Sequence, residues 1–100
     1  MGKEVNKKAK SASVRRRLTF RYKARPGSDV SIAGSFNDWA VGDKVLKDKN
    51  STGDYSITML LAKGIYEYKF CVNGKWCVDP DNPNFKANPH GTLNSFIEVV

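Results

Sequence analysis

The sequence predicts an all-β fold in which antiparallel sheets pack as a sandwich, and three observations carry that prediction. Apolar and polar residues alternate with a period of two over several short segments, as in strands with one buried face. Glycine, asparagine and proline mark turns between those segments at roughly the 8–12-residue spacing of sandwich proteins. No segment shows a helical apolar stripe, and a length of 100 residues suits one domain with one core.

Each predicted strand rests on such a segment. Alternation is clearest in two places, where the apolar members are Leu18, Phe20 and Tyr22, and then Tyr55, Ile57, Met59 and Leu61. Further strands are predicted over residues 30–32, 65–72, 75–78 and 95–100, whereas residues 41–54 and 79–91 are predicted as loops. The second loop is long for a small domain, which makes it a candidate for function. We therefore predict a single immunoglobulin-like antiparallel β-sandwich of six to eight short strands.

The formal net charge of +7 is concentrated at the N-terminus. Residues 1–17 contain seven basic side chains and one acidic one, a net charge of +6, which leaves +1 for the other 83 residues. We predict a flexible basic tail over residues 1–13 and a β-sandwich module over residues 14–100, because the tail has too few apolar groups to offset its ordering entropy. Such a tail can be solvated or contact a polyanion, but a body without a basic stripe does not favour nucleic acid as a partner.

The most informative local signal is Asn73-Gly74, a dipeptide that favours a two-residue hairpin turn. This turn would pair Cys71 with Trp76. Alternation would then direct Phe70 to the core and direct both Lys69 and Trp76 to the outer face of the hairpin. The register therefore predicts an exposed indole one diagonal step from an ammonium group.

The same register decides how the two cysteines are interpreted. Cys71 and Cys77 would point to opposite faces of the hairpin, which disfavours a disulfide between them. Two cysteines and one histidine also make a poor zinc site. We predict two thiols in a reducing, cytoplasmic compartment, without a metal or other cofactor.

Two tryptophans define the candidate ligand site. Trp39 follows a polar turn in which Phe36 is the more suitable core residue, and Trp76 lies on the outer face. An indole covered by its own loop is the structural alternative, but the groups around Trp76 are hydrogen-bonding ones. A sugar ring stacks its C–H face on an aromatic plane, while amides and an ammonium bond its hydroxyls. We predict a carbohydrate site with two separated indoles, since stacked nucleic-acid bases would need a charged groove that the body lacks.

Five ordered motifs then give the sequence a family resemblance. They are AGSFNDW at 33–39, YEYKF at 66–70, VNGKW at 72–76, DP at 79–80 and GTLNS at 91–95. In this order they resemble the glycogen-binding carbohydrate-binding module of the AMP-activated protein kinase beta subunit, a module also called the isoamylase N-terminal domain. The resemblance covers residues 17–100 and implies an α-glucan ligand.

The resemblance also implies roles for individual residues. Both tryptophans would stack on α-1,4-glucan, and the lysine, threonine and asparagine would bond its hydroxyls. The predicted site residues are Trp39, Lys69, Trp76, His90, Thr92 and Asn94. His90 departs from the family pattern, because it stands where the kinase-subunit type has a bulky apolar residue that threads a cyclic glucan.

The predicted function is non-catalytic binding of α-1,4-glucan such as glycogen, starch or maltodextrin. Hydrolysis is not expected, because a glycosidase needs two converging carboxylates and the outer face offers only Glu67 as a candidate. The alternative is a regulatory interaction module that docks a kinase or a glycogen-metabolising enzyme. We expect a monomer whose partner is a polysaccharide or oligosaccharide, with no membrane association, since the longest apolar run, residues 59–62, has only four members.

Overall fold

A computed structural model describes residues 14–100, and the predicted tail, residues 1–13, lies outside the described residues. Eight strands lie within residues 14–100: β1 (Arg15–Lys23), β2 (Val30–Gly34), β3 (Lys44–Val45), β4 (Asp54–Ala62), β5 (Gly64–Val72), β6 (Lys75–Cys77), β7 (Phe85–Ala87) and β8 (Leu93–Val99). The described residues contain no helix long and apolar enough to cross a membrane. The prediction of an all-β fold with six to eight strands is confirmed.

The strands form two antiparallel sheets, here called sheet A and sheet B. Sheet A holds β1 and β4, which pair along their full length, from Arg15 opposite Ala62 to Lys23 opposite Asp54. Sheet B has the strand order β3-β2-β5-β8-β7, and β6 also pairs with β5. β6 and β8 follow one another along the same edge of β5, since they pair with residues 70–72 and 64–68. β5 is therefore the central strand of sheet B.

The core fills the space between the two sheets. Phe20 of β1 contacts Tyr68 of β5 edge-on, with ring centroids 5.1 Å apart, and Tyr22 lies 5.0 Å from Phe70. Phe70 and Ile32 are completely buried. These contacts confirm the predicted inward face of both strands, and they show that alternation alone places the largest apolar groups in one layer.

A buried polar cluster ties the segment after β6 to this core. The Tyr68 hydroxyl donates to Asp79 Oδ2 at 2.6 Å, and Asn82 Nδ2 donates to the Tyr68 oxygen at 3.0 Å. The backbone N–H of Asp79 donates to the Ser95 hydroxyl oxygen at 2.9 Å. Burial of the phenol, followed by its bond to the carboxylate, raises the pKa of Tyr68. The cluster fixes where the long connection from β6 to β8 begins.

Two segments predicted as loops each contain a short strand. β3 lies within residues 41–54 and β7 within residues 79–91, and the last strand begins at Leu93 instead of residue 95. Both short strands pair at the edges of sheet B, β3 with β2 and β7 with β8. Two or three residues are too few to show an alternating pattern, so the sequence did not predict these strands. Their strand conformation is set by pairing with the neighbouring strand.

Candidate functional site

The structure brings all six predicted site residues to one depression on sheet B. Trp39 follows β2, Lys69 lies on β5, Trp76 lies on β6, His90 and Thr92 precede β8, and Asn94 lies on β8. The depression has a volume of about 970 Å³, and its other lining residues are Ser35, Glu67, Val78, Asn88, Pro89 and Leu93. Three strands and two loops therefore meet at a single concave surface, while the binding role of each residue stays a prediction.

A tight turn after β2 directs Trp39 back over the sheet. The backbone N–H of Trp39 donates to the Gly34 carbonyl at 2.9 Å, and the Asn37 side chain accepts from the Gly34 N–H at 3.0 Å. Gly34 has no room for a side chain, since a Cβ would collide with the Glu67 carbonyl oxygen. Trp39 itself has φ 59°, a left-handed conformation that bulky residues rarely adopt. The surrounding hydrogen bonds hold the indole in this strained position.

The hairpin places Trp76 as the turn chemistry predicts. Asn73 and Gly74 have φ 50° and 85°, and Cys71 pairs with Trp76 across the turn. Trp76 is 48% exposed and Trp39 is 36% exposed. Their ring centroids are 6.4 Å apart with an interplanar angle of 68°.

The expectation of two separated indoles is therefore wrong. The rings of Trp39 and Trp76 contact each other edge to face and form a corner instead of two distant platforms. The cause is the left-handed turn at Trp39, which brings its ring back towards β6 and which no sequence pattern announced. Each indole still exposes part of its surface to the depression.

Small buried residues lie on the outer face of sheet B next to Trp76. Ser31, Cys71 and Trp76 are consecutive partners on three adjacent strands and therefore share the outer face of sheet B. Ala33 lies on the same face, opposite Lys69. Ser31, Ala33 and Cys71 are buried even though they point away from the core. The outer face of sheet B is thus covered at this point and not open to solvent.

Asn88 organises the polar side of the depression. Its Oδ1 accepts from the backbone N–H groups of His90 at 3.0 Å and Thr92 at 3.1 Å. Because both partners can only donate, the Asn88 amide has one orientation, with Nδ2 turned towards the site. Nδ2 donates to Thr92 Oγ1 at 2.7 Å and to Asn94 Oδ1 at 2.9 Å. One side chain therefore fixes both a loop and two predicted ligand residues.

The hydrogen-bond chain continues from Asn88 in both directions. On one side, Lys69 Nζ donates to Thr92 Oγ1 at 3.0 Å. On the other, Asn94 Nδ2 donates to Glu67 Oε1 at 3.0 Å, and Glu67 Oε2 faces Lys86 Nζ at 3.6 Å. The Thr92 oxygen accepts twice, so its own O–H proton is left to be donated. Thr92 and Lys69 thereby present free donors to a ligand.

Comparison of the sequence with known proteins identifies the family of this chain. A family model for the glycogen recognition site of AMP-activated protein kinase matches residues 16–100. The chain belongs to this family. The resemblance read from its five sequence motifs is confirmed.

Curated relatives of the glycogen recognition module agree with this assignment. The 5'-AMP-activated protein kinase subunit beta-2 of Mus musculus is 37% identical over 73 residues, which are 73% of this chain and 26% of the relative. Subunit beta-1 of Rattus norvegicus is 34% identical over 96 residues, which are 96% of this chain and 33% of the relative. The chain thus spans about a quarter to a third of the length of these two relatives.

The predicted ligand residues of the glycogen recognition module differ in how accessible they are. Trp39, Trp76, His90 and Thr92 are exposed, whereas Asn94 is only 6% exposed. Both polar atoms of the Asn94 amide already have partners, Asn88 and Glu67. Asn94 therefore supports the wall of the depression, and these two bonds leave one N–H and one acceptor site of its amide over.

The sequence analysis did not identify Asn88 as a site residue, and it did not predict the contacts that Glu67 makes with Asn94 and Lys86. Asn88 precedes Pro89 and Gly91, a pattern typical of a turn, so the sequence did carry a signal that its side chain bonds the backbone. Glu67 was considered only as an acid for hydrolysis. It is the one carboxylate among the residues that line the depression, and its oxygens already face Asn94 and Lys86.

Proposed function

We propose that the module binds α-1,4-glucan, such as glycogen, starch or maltodextrin, without acting on it. The observation that carries the proposal is the meeting of both indoles with a donor-rich polar wall in one depression of about 970 Å³. A glucan strand offers apolar C–H faces and hydroxyls side by side, so it needs both kinds of wall within reach of one chain. Membership of the glycogen recognition family supports the same ligand class.

The angle between the indoles favours a curved glucan. Consecutive glucose units in an α-1,4-linked chain rotate relative to each other, whereas a β-1,4-linked chain runs as a flat ribbon. Two platforms inclined by 68° can each receive one ring of a curved chain, but a flat ribbon would stack on only one of them. The corner formed by Trp39 and Trp76 is thus the element proposed to select the linkage.

The polar wall is proposed to set the register of the bound chain. The Thr92 hydroxyl and two N–H groups of Lys69 are free to donate, and glucose hydroxyl oxygens accept. His90 is exposed at the same rim and can bond a further hydroxyl. These bonds replace bonds to water, so we expect them to orient the ligand more than they strengthen its binding.

The test is a titration with maltoheptaose, followed by tryptophan fluorescence and by amide chemical shifts. We expect saturable binding, with the largest shifts in residues 36–40, 75–78 and 88–94. Cellohexaose, whose rings have the same C–H faces on a flat chain, is the matched ligand and is expected to bind at least about tenfold more weakly. Equal affinity for the two sugars would refute the proposed selection by linkage.

A second candidate function is docking of a protein partner. The curated relatives are named as beta subunits of a kinase, which favours an assembly with a kinase or with a glycogen-metabolising enzyme. If the depression itself were the docking surface, maltoheptaose would compete with the partner.

We place the module in the cytoplasm as a monomer, a setting in which Cys71 and Cys77 stay reduced.

A further inference from the structure

Within the described part of the chain, sheet A leaves the outer edge of β1 unpaired along its whole length, whereas the outer edge of β4 has one bridge, between Lys47 and Ser56. β1 has nine residues and pairs with β4 on one side, and no other strand of residues 14–100 pairs with it. No backbone hydrogen bond from a turn or loop of the described residues reaches this edge either. One sheet of a constant-type immunoglobulin sandwich has four strands, whereas sheet A has two. An edge of this length presents alternate N–H and C=O groups and is a template for an added strand.

A groove runs along that free edge. It has a volume of about 310 Å³ and is lined by four consecutive residues of β1, 18–21, together with Tyr68 of β5, Ile97 of β8, Asp79, Asp81 and residues 82–83. Consecutive residues point to opposite faces of a strand, so a cavity touching all four lies beside the edge and not under one face. No residue of β4 lines it, which places it on the unpaired side. Leu18, Phe20 and Ile97 give the groove an apolar base.

The outward face of β1 carries a row of cations. Arg15, Arg17, Arg21 and Lys23 alternate with inward-facing residues, and all four are exposed. Their spacing along the strand is about 7 Å for each two residues. Of these four side chains, only Lys23 has a carboxylate of the described residues within 4 Å, that of Asp54 at 3.8 Å.

This row corrects an expectation from the sequence. The folded body was expected to lack a basic stripe, because Arg15 and Arg17 were counted with the N-terminal charge. The structure places both arginines in β1, in line with Arg21 and Lys23. The row lies on the outward face of β1, and the groove runs along the free edge itself, where Thr19 and Arg21 of that outward face also line it.

We propose that the free edge of β1 receives an extended segment of a partner protein in which acidic and apolar residues alternate. The segment would continue sheet A by backbone hydrogen bonds, with its acidic side chains beside the cation row and its apolar side chains in the groove. A second copy of β1 would set arginines against arginines, which is unfavourable. A nucleic acid would satisfy the cations but has no alternating apolar groups for the groove.

The test uses a fluorescent nonapeptide of alternating valine and glutamate, titrated against the full chain. We expect saturable binding that maltoheptaose does not displace, because the glucan depression lies on the other sheet. The matched probe is the same peptide with N-methyl groups on alternate residues along the pairing edge, which keeps the charge but removes the strand hydrogen bonds. It is expected to bind at least about tenfold more weakly. Equal binding of both peptides, or no binding of the first, would overturn the proposal.

Charge variants separate this edge from general attraction between opposite charges. The double variant Arg17→Glu with Arg21→Glu is expected to weaken peptide binding by at least about tenfold. The control variant Lys44→Glu with Lys49→Glu makes the same change in net charge away from β1 and is expected to stay within about twofold. Circular dichroism verifies that both fold. If a DNA oligomer displaced the peptide and bound as tightly, the row would be a nucleic-acid contact and the proposal would be wrong.

Discussion

The two faces of sheet B differ in what their side chains contribute. On the inner face, Tyr68 and Phe70 are buried against Phe20 and Tyr22 of the opposite sheet. On the outer face, Lys69 of the same strand points into the depression with Trp39 and Trp76. Core packing and the lining of the depression thus alternate residue by residue along β5. The lesson is that neighbouring substitutions in one strand should have effects of different kinds.

The largest expected effect is on the inner face. Phe70→Ala removes a completely buried ring and leaves a cavity, so it is expected to lower the free energy of unfolding by about 3–5 kcal/mol. A domain of this size has little stability in excess of that amount. Urea midpoints of the wild type and the variant measure the loss, and a loss below about 1 kcal/mol would contradict the assignment of this face.

The next effect belongs to the outer face. Trp76→Ala is expected to remove most glucan binding. It should cost only about 1 kcal/mol of stability, because the indole that is removed is half-exposed and its main aromatic contact is the edge contact with Trp39. The measurement is a maltoheptaose titration together with a urea midpoint, with Phe70→Ala as the matched variant. If both variants destabilised the fold equally, the two faces would not differ in the way described.

A polar pair on the inner face sharpens the comparison. Tyr68→Phe leaves Asp79 Oδ2 without its donor and is expected to cost about 1–3 kcal/mol at neutral pH, with unchanged glucan affinity.

The same variant has a signature in alkali. The pKa of Tyr68 is raised in the folded protein, so above about pH 10 the unfolded chain loses this proton first. The free energy of unfolding of the wild type should therefore fall as the pH rises above that value, and fall less in Tyr68→Phe. Parallel pH profiles would show that the hydroxyl does not titrate differently in the two states.

Asn88 allows the polar wall to be altered without altering the indoles. Asn88→Asp keeps the acceptor for the His90 and Thr92 N–H groups but loses both donated bonds, whereas Asn88→Ala loses all four. Both variants are expected to weaken maltoheptaose binding by about three- to tenfold. Both variants should also lower the urea midpoint, because each leaves the buried Asn94 Oδ1 without its donor. Unchanged affinity in Asn88→Asp would mean that the wall does not contribute to binding.

The smallest effect is expected from the N-terminus. Removal of residues 1–12 deletes four lysines and one glutamate. Solution charges act over roughly 10 Å at ordinary ionic strength, and glucan is uncharged, so affinity for maltoheptaose should change by less than about twofold. A larger loss in the titration would place part of the binding surface in this segment.

The aromatic wall was largely predictable because its geometry is local. Asn73-Gly74 dictates the hairpin register, and the register puts Trp76 on the outer face without any knowledge of distant residues. The contact between the two indoles was not predictable. It depends on a left-handed backbone at Trp39, which the residue type opposes and only the turn around Asn37 enforces.

The polar wall was less predictable because its contacts are long-range. Glu67 and Asn94 are 27 positions apart in the chain, and Lys69 and Thr92 are 23 apart, so their hydrogen bonds exist only after β5 and β8 have paired. β7, which continues this edge, has three residues and no pattern of its own. Family motifs supplied Lys69, Thr92 and Asn94 as ligand residues but not the asparagine that connects two of them.

The left-handed backbone of Trp39 also affects how much entropy the protein loses when a ligand binds. Conformational energy of about 1–3 kcal/mol is spent at such a residue when the chain folds. The indole is therefore already ordered before a ligand arrives, and little rotamer or loop entropy remains to be lost. On the protein side, association should therefore need no ordering of this residue, and selectivity should reside mainly in the lifetime of the complex.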